Sequence, residues 1–160
     1  MISMAEINLL DSYPHIKRDL KSRTLSTSDD RRISKLFGKE YFDGPRSQGY
    51  GGYRYDGRWK PVAERFRDYY SLTSASHVLD VGAAKGFFLH DLQKSVPGIR
   101  VAGIDISKYA YENSLENIRP FLQVGNAQEL PFPENSFDLV VSINTIHNLR
   151  LPELKRALRE

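Results

Sequence analysis

From residue 77 onward, hydrophobic residues fall into short β-branched runs that alternate with segments of helical periodicity. Such alternation predicts a parallel sheet whose strands are connected by crossover helices. The predicted strands cover residues 77–81, 100–104, 121–124 and 137–143, and the predicted helices cover residues 85–94 and 107–118 and begin again at 151. The run Leu-Val-Val-Ser-Ile in the fourth strand predicts burial on both faces.

The N-terminal part of the chain has a different pattern, with polar helix signals in place of strands. Ser28, followed by two aspartates, predicts the N-cap of a helix that continues through Phe37 and stops before Asp43. Pro61 predicts the first turn of another helix. A further helix is expected within residues 5–21. Together these signals predict a helical N-terminal extension.

Between the two predicted helices lies the glycine- and tyrosine-rich segment 49–58. It contains too much glycine for a helix and too many aromatic residues for a simple linker. It has three interpretations: a lid in which Tyr50, Tyr53, Tyr55 and Trp59 enclose a ligand, a surface that stacks nucleic-acid bases, or a segment that packs on the sheet.

Composition narrows the class of protein. The chain has 160 residues, of which 40% are hydrophobic and 27% charged, and these values are typical of a globular domain. We divide it into residues 1–75, the extension with its lid, and residues 76–160, the core. No cysteine is present, which excludes a thiolate metal site, and no metal site is predicted.

Charge and hydropathy bear on partners and location. The net charge of +3 is modest, so nucleic acid is disfavoured as a partner. The sequence contains no apolar run that could span a bilayer and no signal peptide at its start. We therefore predict a cytoplasmic protein without a membrane partner, and the oligomeric state is left open.

The most informative stretch is Asp-Val-Gly-Ala-Ala-Lys-Gly at residues 80–86, which leads from a strand into a helix. Backbone amides in such a turn and at a helix N-terminus attract anionic groups. The dinucleotide fingerprint G-x-G-x-x-G is not matched, because Phe87 stands at its third glycine. A Walker A loop is also absent, so NAD and nucleoside triphosphates are disfavoured.

This stretch resembles the first motif of the class I S-adenosylmethionine-dependent methyltransferases. Asp80, Gly82, Ala84 and Gly86 match the motif, and Ala84 replaces its usual middle glycine. The resemblance implies that the backbone of Gly82, Ala83 and Ala84 contacts the methionine part of S-adenosylmethionine. It also implies that Asp80 lies near the ammonium group of the cofactor.

Two further stretches resemble the family in the same order along the chain. Asp105 ends the second strand and matches the residue that binds both ribose hydroxyls, with Ile106 beside it in the cofactor site. The alternative for Asp105 is a cap on the helix at Ser107. Asn126, followed by Ala127, matches the residue that contacts the adenine amino group, and its alternative is a turn residue.

The fourth stretch, residues 136–149, resembles the strand and strand end of the small-molecule branch of the family. Asn144 belongs to the implied cofactor site. The next residues do not match the N/D-P-P-[YF] motif, which argues against methylation of base amino groups. His147 is the candidate general base because imidazole titrates near neutral pH, and its alternative is a packing or helix-entry residue.

The resemblance implies a Rossmann-like three-layer sandwich with strand order 3-2-1-4. It also implies a methyltransferase with a small-molecule acceptor, such as an oxygen on a sugar or metabolite. Alternatives are an aminopropyl-transferase type of enzyme and a non-catalytic module that binds nucleic acid. Because the family's sheet has seven strands, we expect a C-terminally truncated part of a protein of roughly 230 to 270 residues. We therefore expect cofactor contacts to be retained and turnover by the 160-residue form to be weak or absent.

Overall fold

Four parallel strands form one sheet in the order β3-β2-β1-β4. The computed structural model describes residues 7–14 and 26–160. The strands are β1 His77–Val81, β2 Arg100–Asp105, β3 Leu122–Val124 and β4 Leu139–Val141. In register, Leu79 of β1 lies opposite Ala102 of β2 and Val140 of β4. The predicted Rossmann-like fold and strand order are therefore confirmed.

Six helices accompany the sheet in the described part of the chain. They are α1 Ser28–Ser34, α2 Lys39–Asp43, α3 Lys60–Tyr70, α4 Phe87–Ser95, α5 Lys108–Glu112 and α6 Leu151–Ala157. Pro61 lies in the first turn of α3 as predicted, and Ser71 ends this helix in a left-handed conformation. Over these same residues, no helix is long and apolar enough to cross a membrane.

The two faces of the sheet are covered differently. Val78, Val101 and Val141 belong to the core cluster that includes α3 and α4. Leu79, Val81 and Ile104 form a second cluster, packed against apolar side chains of loop 125–138: Ala127, Leu130, Phe132 and Phe137. Among the described residues, the layer on this second face is therefore a loop.

The single helix expected between Ser28 and Asp43 is two short helices. Thr27, not Ser28, is the N-cap of α1, and its side chain and that of Asp30 form a capping box. Phe37 then adopts a φ of 49°, which interrupts the helix before α2 begins. The helix expected within residues 5–21 lies largely outside the described residues, and residues 9–12 form turns.

The helix after β2 is also shorter than predicted, because α5 ends at Glu112 rather than near Ile118. Asn113 and Ser114 follow it, and their side chains donate hydrogen bonds to backbone carbonyls of the last turn. Such local bonds compete with helix continuation.

Strand β4 covers three residues instead of the predicted seven, and it lies at the edge of the sheet. Val141 is buried, whereas the side chain of Val140 is 55% exposed. Burial on both faces was therefore wrong for this strand within the described residues.

Candidate active site

A cavity of about 160 Å³ lies where the carboxyl ends of the four strands meet. This is where open α/β sheets bind ligands. The predicted site residues that line it are Asp80, Gly82, Ala83, Ala84, Asp105, Ile106, Asn126, Ala127, Asn144, Tyr50, Tyr53 and Trp59. Gly86, Tyr55 and His147 are the predicted residues that do not line it.

The turn after β1 is held by backbone hydrogen bonds to β2. The amides of Gly82 and Ala83 donate to the carbonyl of Ile104 at 2.7 and 3.1 Å. Gly82 has a φ of 89°, and a Cβ there would lie 2.0 Å from Thr145 Oγ1. Glycine is therefore required at this position by both conformation and space. Ala84 occupies the left-handed region with a φ of 49°.

Gly86 serves helix packing rather than the cavity. It is the N-cap of α4 with a φ of 74°. A Cβ at this position would lie 2.9 Å from Ile118 Cγ2. The glycine therefore allows close packing at the start of the helix.

Asp105 connects the turns that follow β1 and β2. Its Oδ2 accepts a hydrogen bond from the amide of Ala84 at 2.8 Å, and its Oδ1 accepts one from Ser107 at 2.8 Å. Burial raises the pKa of Asp105, and these two amides oppose the shift. Ser107 itself is the N-cap of α5. Each carboxylate oxygen keeps a further acceptor position for a ligand.

Asp80 is the most unusual group in the cavity. Its side chain is only 4% exposed, and no hydrogen-bond partner of its Oδ1 lies within the described residues. Burial, and then repulsion from Asp105, raise the pKa of Asp80 to about 7. A buried carboxylate is costly unless a cation or donors satisfy it. The arrangement therefore suits a ligand that carries a cationic or hydrogen-donating group.

The turns after β3 and β4 contribute amides to the cavity. Asn126 Oδ1 accepts a hydrogen bond from the backbone amide of Gln128 at 3.0 Å, so the side chain also stabilises its own turn. Asn144 has a φ of 56°, which asparagine tolerates better than most residues. Both predicted residues are brought to the cavity.

A buried ion pair that the sequence analysis missed attaches the N-terminal segment to the turn after β1. Lys85 is 5% exposed, and its Nζ lies 2.7 Å from Asp43 Oδ2 and 2.9 Å from the carbonyl of Tyr53. Tyr109 also donates to Asp43 Oδ2. Burial by itself raises the pKa of Asp43. Hydrogen bonds from Lys85, Tyr109 and the amide of Tyr53 outweigh this effect, so the pKa of Asp43 is lowered overall. The signal for this ion pair in the sequence was a lysine within a turn of small residues.

The predicted lid residues divide into two groups. Tyr53 and Trp59 are each 9% exposed, so they pack in the core while they line the cavity. Tyr55 lies away from it, and its hydroxyl donates to Asp91 Oδ1 at 2.6 Å. Burial and Asp91 raise the pKa of Tyr55 to about 12. The segment therefore combines the packing interpretation with a contribution to the cavity.

His147 is not brought to the cavity. It lies in a 3₁₀ turn, Ile146–Asn148, after β4, and its side chain is exposed. Its neighbours Asn148 and Leu149 line the cavity. The predicted base therefore lies beside the site without facing it.

These features define a Rossmann-like domain with a cavity at its strand ends and a carboxylate at the carboxyl end of each of its first two strands. Residues 79–160 match the family model of the methyltransferase domain. The chain therefore belongs to the methyltransferase domain family, and the resemblance to class I S-adenosylmethionine-dependent enzymes is confirmed. The cofactor of this family is S-adenosylmethionine, and the unpaired Asp80 carboxylate and the Gly82 turn fit it.

Known relatives share part of the chain. This chain is 39% identical over 83 residues to the mitochondrial arginine-hydroxylase NDUFAF5 of Rattus norvegicus, and the match covers 51% of this chain and 23% of that protein. It is 31% identical over 116 residues to the demethylmenaquinone methyltransferase of Symbiobacterium thermophilum, covering 64% of this chain and 46% of that protein. The chain thus spans less than half the length of either relative.

Among solved structures, the S-adenosylmethionine-dependent methyltransferase of Aquifex aeolicus has the same fold. It superposes with a TM-score of 0.50 at 23% identity, covering 83% of this chain and 66% of that one. This likeness supports the fold alone.

Replacing Lys85 with Met should lower the free energy of unfolding by about 3 kcal/mol, because Asp43 loses its buried cation. Urea denaturation would measure the change. Lys108→Met is the matched control, since Lys108 pairs with Glu112 at an exposed site, and it should cost less than about 0.5 kcal/mol. Equal effects of the two substitutions would contradict the importance of the buried pair.

Replacing Asp80 with Asn should stabilise the ligand-free protein at high pH. The folded-state pKa of Asp80 is about 7, above the unfolded value, so its contribution to stability is present in acid and is lost as pH rises toward 7. The variant should match the parent below about pH 4 and exceed it by on the order of 4 kcal/mol above about pH 8. A stability difference that does not change with pH would refute this assignment.

Proposed function

We propose that the chain is the cofactor-binding part of an S-adenosylmethionine-dependent methyltransferase that acts on a small-molecule acceptor. The observation that carries the proposal is the pair of carboxylates, Asp80 and Asp105, which line one cavity at the ends of adjacent strands. Family membership gives the cofactor, and the geometry gives each part of it a suitable partner.

The cofactor's ammonium group would pair with Asp80, whose buried Oδ1 otherwise lacks a partner. The ribose hydroxyls would donate to Asp105. Adenine would lie between Ile106 and Ala127, both of which line the cavity. The side chain of Asn126 would contact its amino group.

When bound, S-adenosylmethionine supplies a methyl group attached to its sulfonium sulfur. A lone pair of the acceptor forms a bond to this methyl carbon, and the electrons of the broken C–S bond stay on sulfur. The residues of this chain contribute mainly alignment and exclusion of water, which are the main requirements of such a displacement. The turn at Gly82 and the ion pair at Lys85 hold the cofactor side and the N-terminal segment together.

The alternatives differ in how well the structure supports them. An aminopropyl-transferase type of enzyme would use the same cavity, and only its reaction product would distinguish it. Stacking of nucleic-acid bases is disfavoured, because Tyr53 and Trp59 are buried and Tyr55 is held by Asp91. The cytoplasmic location stays a prediction, and one relative is mitochondrial.

Replacing Asp105 with Ala should weaken binding of S-adenosylhomocysteine by about 2 to 4 kcal/mol, since two charge-assisted hydrogen bonds are lost. Isothermal titration calorimetry would measure it. Asp29→Ala, at an exposed position, is the control and should bind as the parent does. Asp105→Asn is a second variant of similar size, and because its amide has one acceptor oxygen it keeps only one of the two backbone hydrogen bonds from Ala84 and Ser107. The proposal fails if the parent does not bind S-adenosylhomocysteine or if Asp105→Ala binds it equally well.

We further propose His147 as the base that receives the acceptor's proton, a role that requires its exposed ring to turn toward the cavity. In a sensitive assay, the parent should form S-adenosylhomocysteine slowly when supplied with S-adenosylmethionine and a low-molecular-weight filtrate of a cell extract. His147→Gln should reduce this rate at least about tenfold without changing cofactor affinity. An unchanged rate would assign the proton to solvent and leave His147 as a surface residue.

A further inference from the structure

Six aromatic side chains of the N-terminal segment line one side of the cavity: Phe37, Tyr41, Phe42, Tyr50, Tyr53 and Trp59. We call this set the aromatic wall. Its rings contact one another, with Tyr50 and Tyr53 centroids 4.5 Å apart and Tyr50 stacked on Phe42 at 5.8 Å. These residues come from a different part of the chain from the strand-end turns that carry the proposed cofactor contacts.

The rings of the aromatic wall differ in how much surface they leave for a ligand. Phe42 is 2% exposed, whereas Tyr50 is 38% exposed and still lines the cavity. Burial raises the pKa of the Tyr50 and Tyr53 hydroxyls above their usual range, so both stay neutral. A ligand at this side therefore meets aromatic side chains and neutral hydroxyl groups.

No cationic side chain from the described ranges lines the cavity, where the charged groups are Asp80 and Asp105. The nearest candidates are already engaged. Lys85 is paired with Asp43, the guanidinium of Arg46 donates to the carbonyl of Gly49, and Arg58 pairs with Asp56. The lining residues therefore offer an anionic acceptor two carboxylates and no cation, and the positive charge near it would come from S-adenosylmethionine itself, whose ammonium group is already assigned to Asp80.

We infer that the methyl acceptor is an uncharged, planar aromatic compound that stacks on the aromatic wall at Tyr50. The inference rests on the proposed function and names the substrate class of the same site. Ring faces reward a planar aromatic ligand by about 0.5 to 1.5 kcal/mol for each contact beyond burial alone. Among the described residues, no side chain that lines the cavity offers a positive charge to an acid or phosphate group. A sugar can lay a C–H face on a ring, but its puckered ring makes less contact with the aromatic wall than a planar aromatic ligand does.

The test uses a matched pair of probes, protocatechuate and its primary amide, which differ chiefly in the negative charge, together with methyl glucoside as a sugar. The protein is first saturated with S-adenosylhomocysteine. Trp59 is the single tryptophan of the chain and lines the cavity, so its fluorescence reports binding, with equilibrium dialysis as the second measurement. We expect the amide to bind at least about tenfold tighter than either of the other two probes.

Two substitutions identify the surface. Tyr50→Leu should weaken binding of the amide by about three- to tenfold and leave S-adenosylhomocysteine affinity within about twofold. Tyr69→Leu is the matched control at an exposed ring outside the cavity, and it should change neither.

Equal binding of protocatechuate or methyl glucoside would overturn the inference, as would unchanged amide affinity in Tyr50→Leu. A loss of S-adenosylhomocysteine affinity in Tyr50→Leu would assign the aromatic wall to the cofactor and overturn it as well. If S-adenosylhomocysteine does not bind the parent, the proposed function itself fails. If it binds and the probes are not distinguished, only this inference fails.

Discussion

The backbone turn after β1 is the constraint on which the rest of the site depends. Polar backbone groups at the end of a buried strand must find partners. Here β2 supplies them, because the amides of Gly82 and Ala83 bond to Ile104 and the amide of Ala84 bonds to Asp105. The two strand ends therefore hold each other, and the carboxylates they carry remain at one cavity.

The N-terminal segment depends on the same turn through a buried charge. Lys85 could not remain buried without a partner, and Asp43 provides one from a segment distant in sequence. Tyr109 and the backbone of Tyr53 complete the network. The aromatic wall and the proposed cofactor contacts are thus both attached to the turn after β1. A displacement of this turn would therefore alter both sides of the cavity.

Stability and binding oppose each other at Asp80. A hydrophobic residue of similar size would suit its buried position better in the absence of a ligand, because its carboxylate has an oxygen without a partner among the described residues. Proteins tolerate such local conflicts mainly at functional sites. The residue that costs stability is therefore the one that prepares the cavity for a cation.

The sequence by itself determined the approximate positions of the four strands and of the Gly82 turn and Asp105, because apolar periodicity and turn chemistry act over a few neighbouring residues. The order of the strands followed only from the resemblance to the methyltransferase family. Only the tertiary structure decided which distant groups meet. Lys85 pairs with Asp43 across 42 positions, and Thr145 lies against Gly82 across 63 positions. Local patterns carry no information about such contacts, since they arise when packed elements exclude water and leave each buried polar group to find its nearest partner.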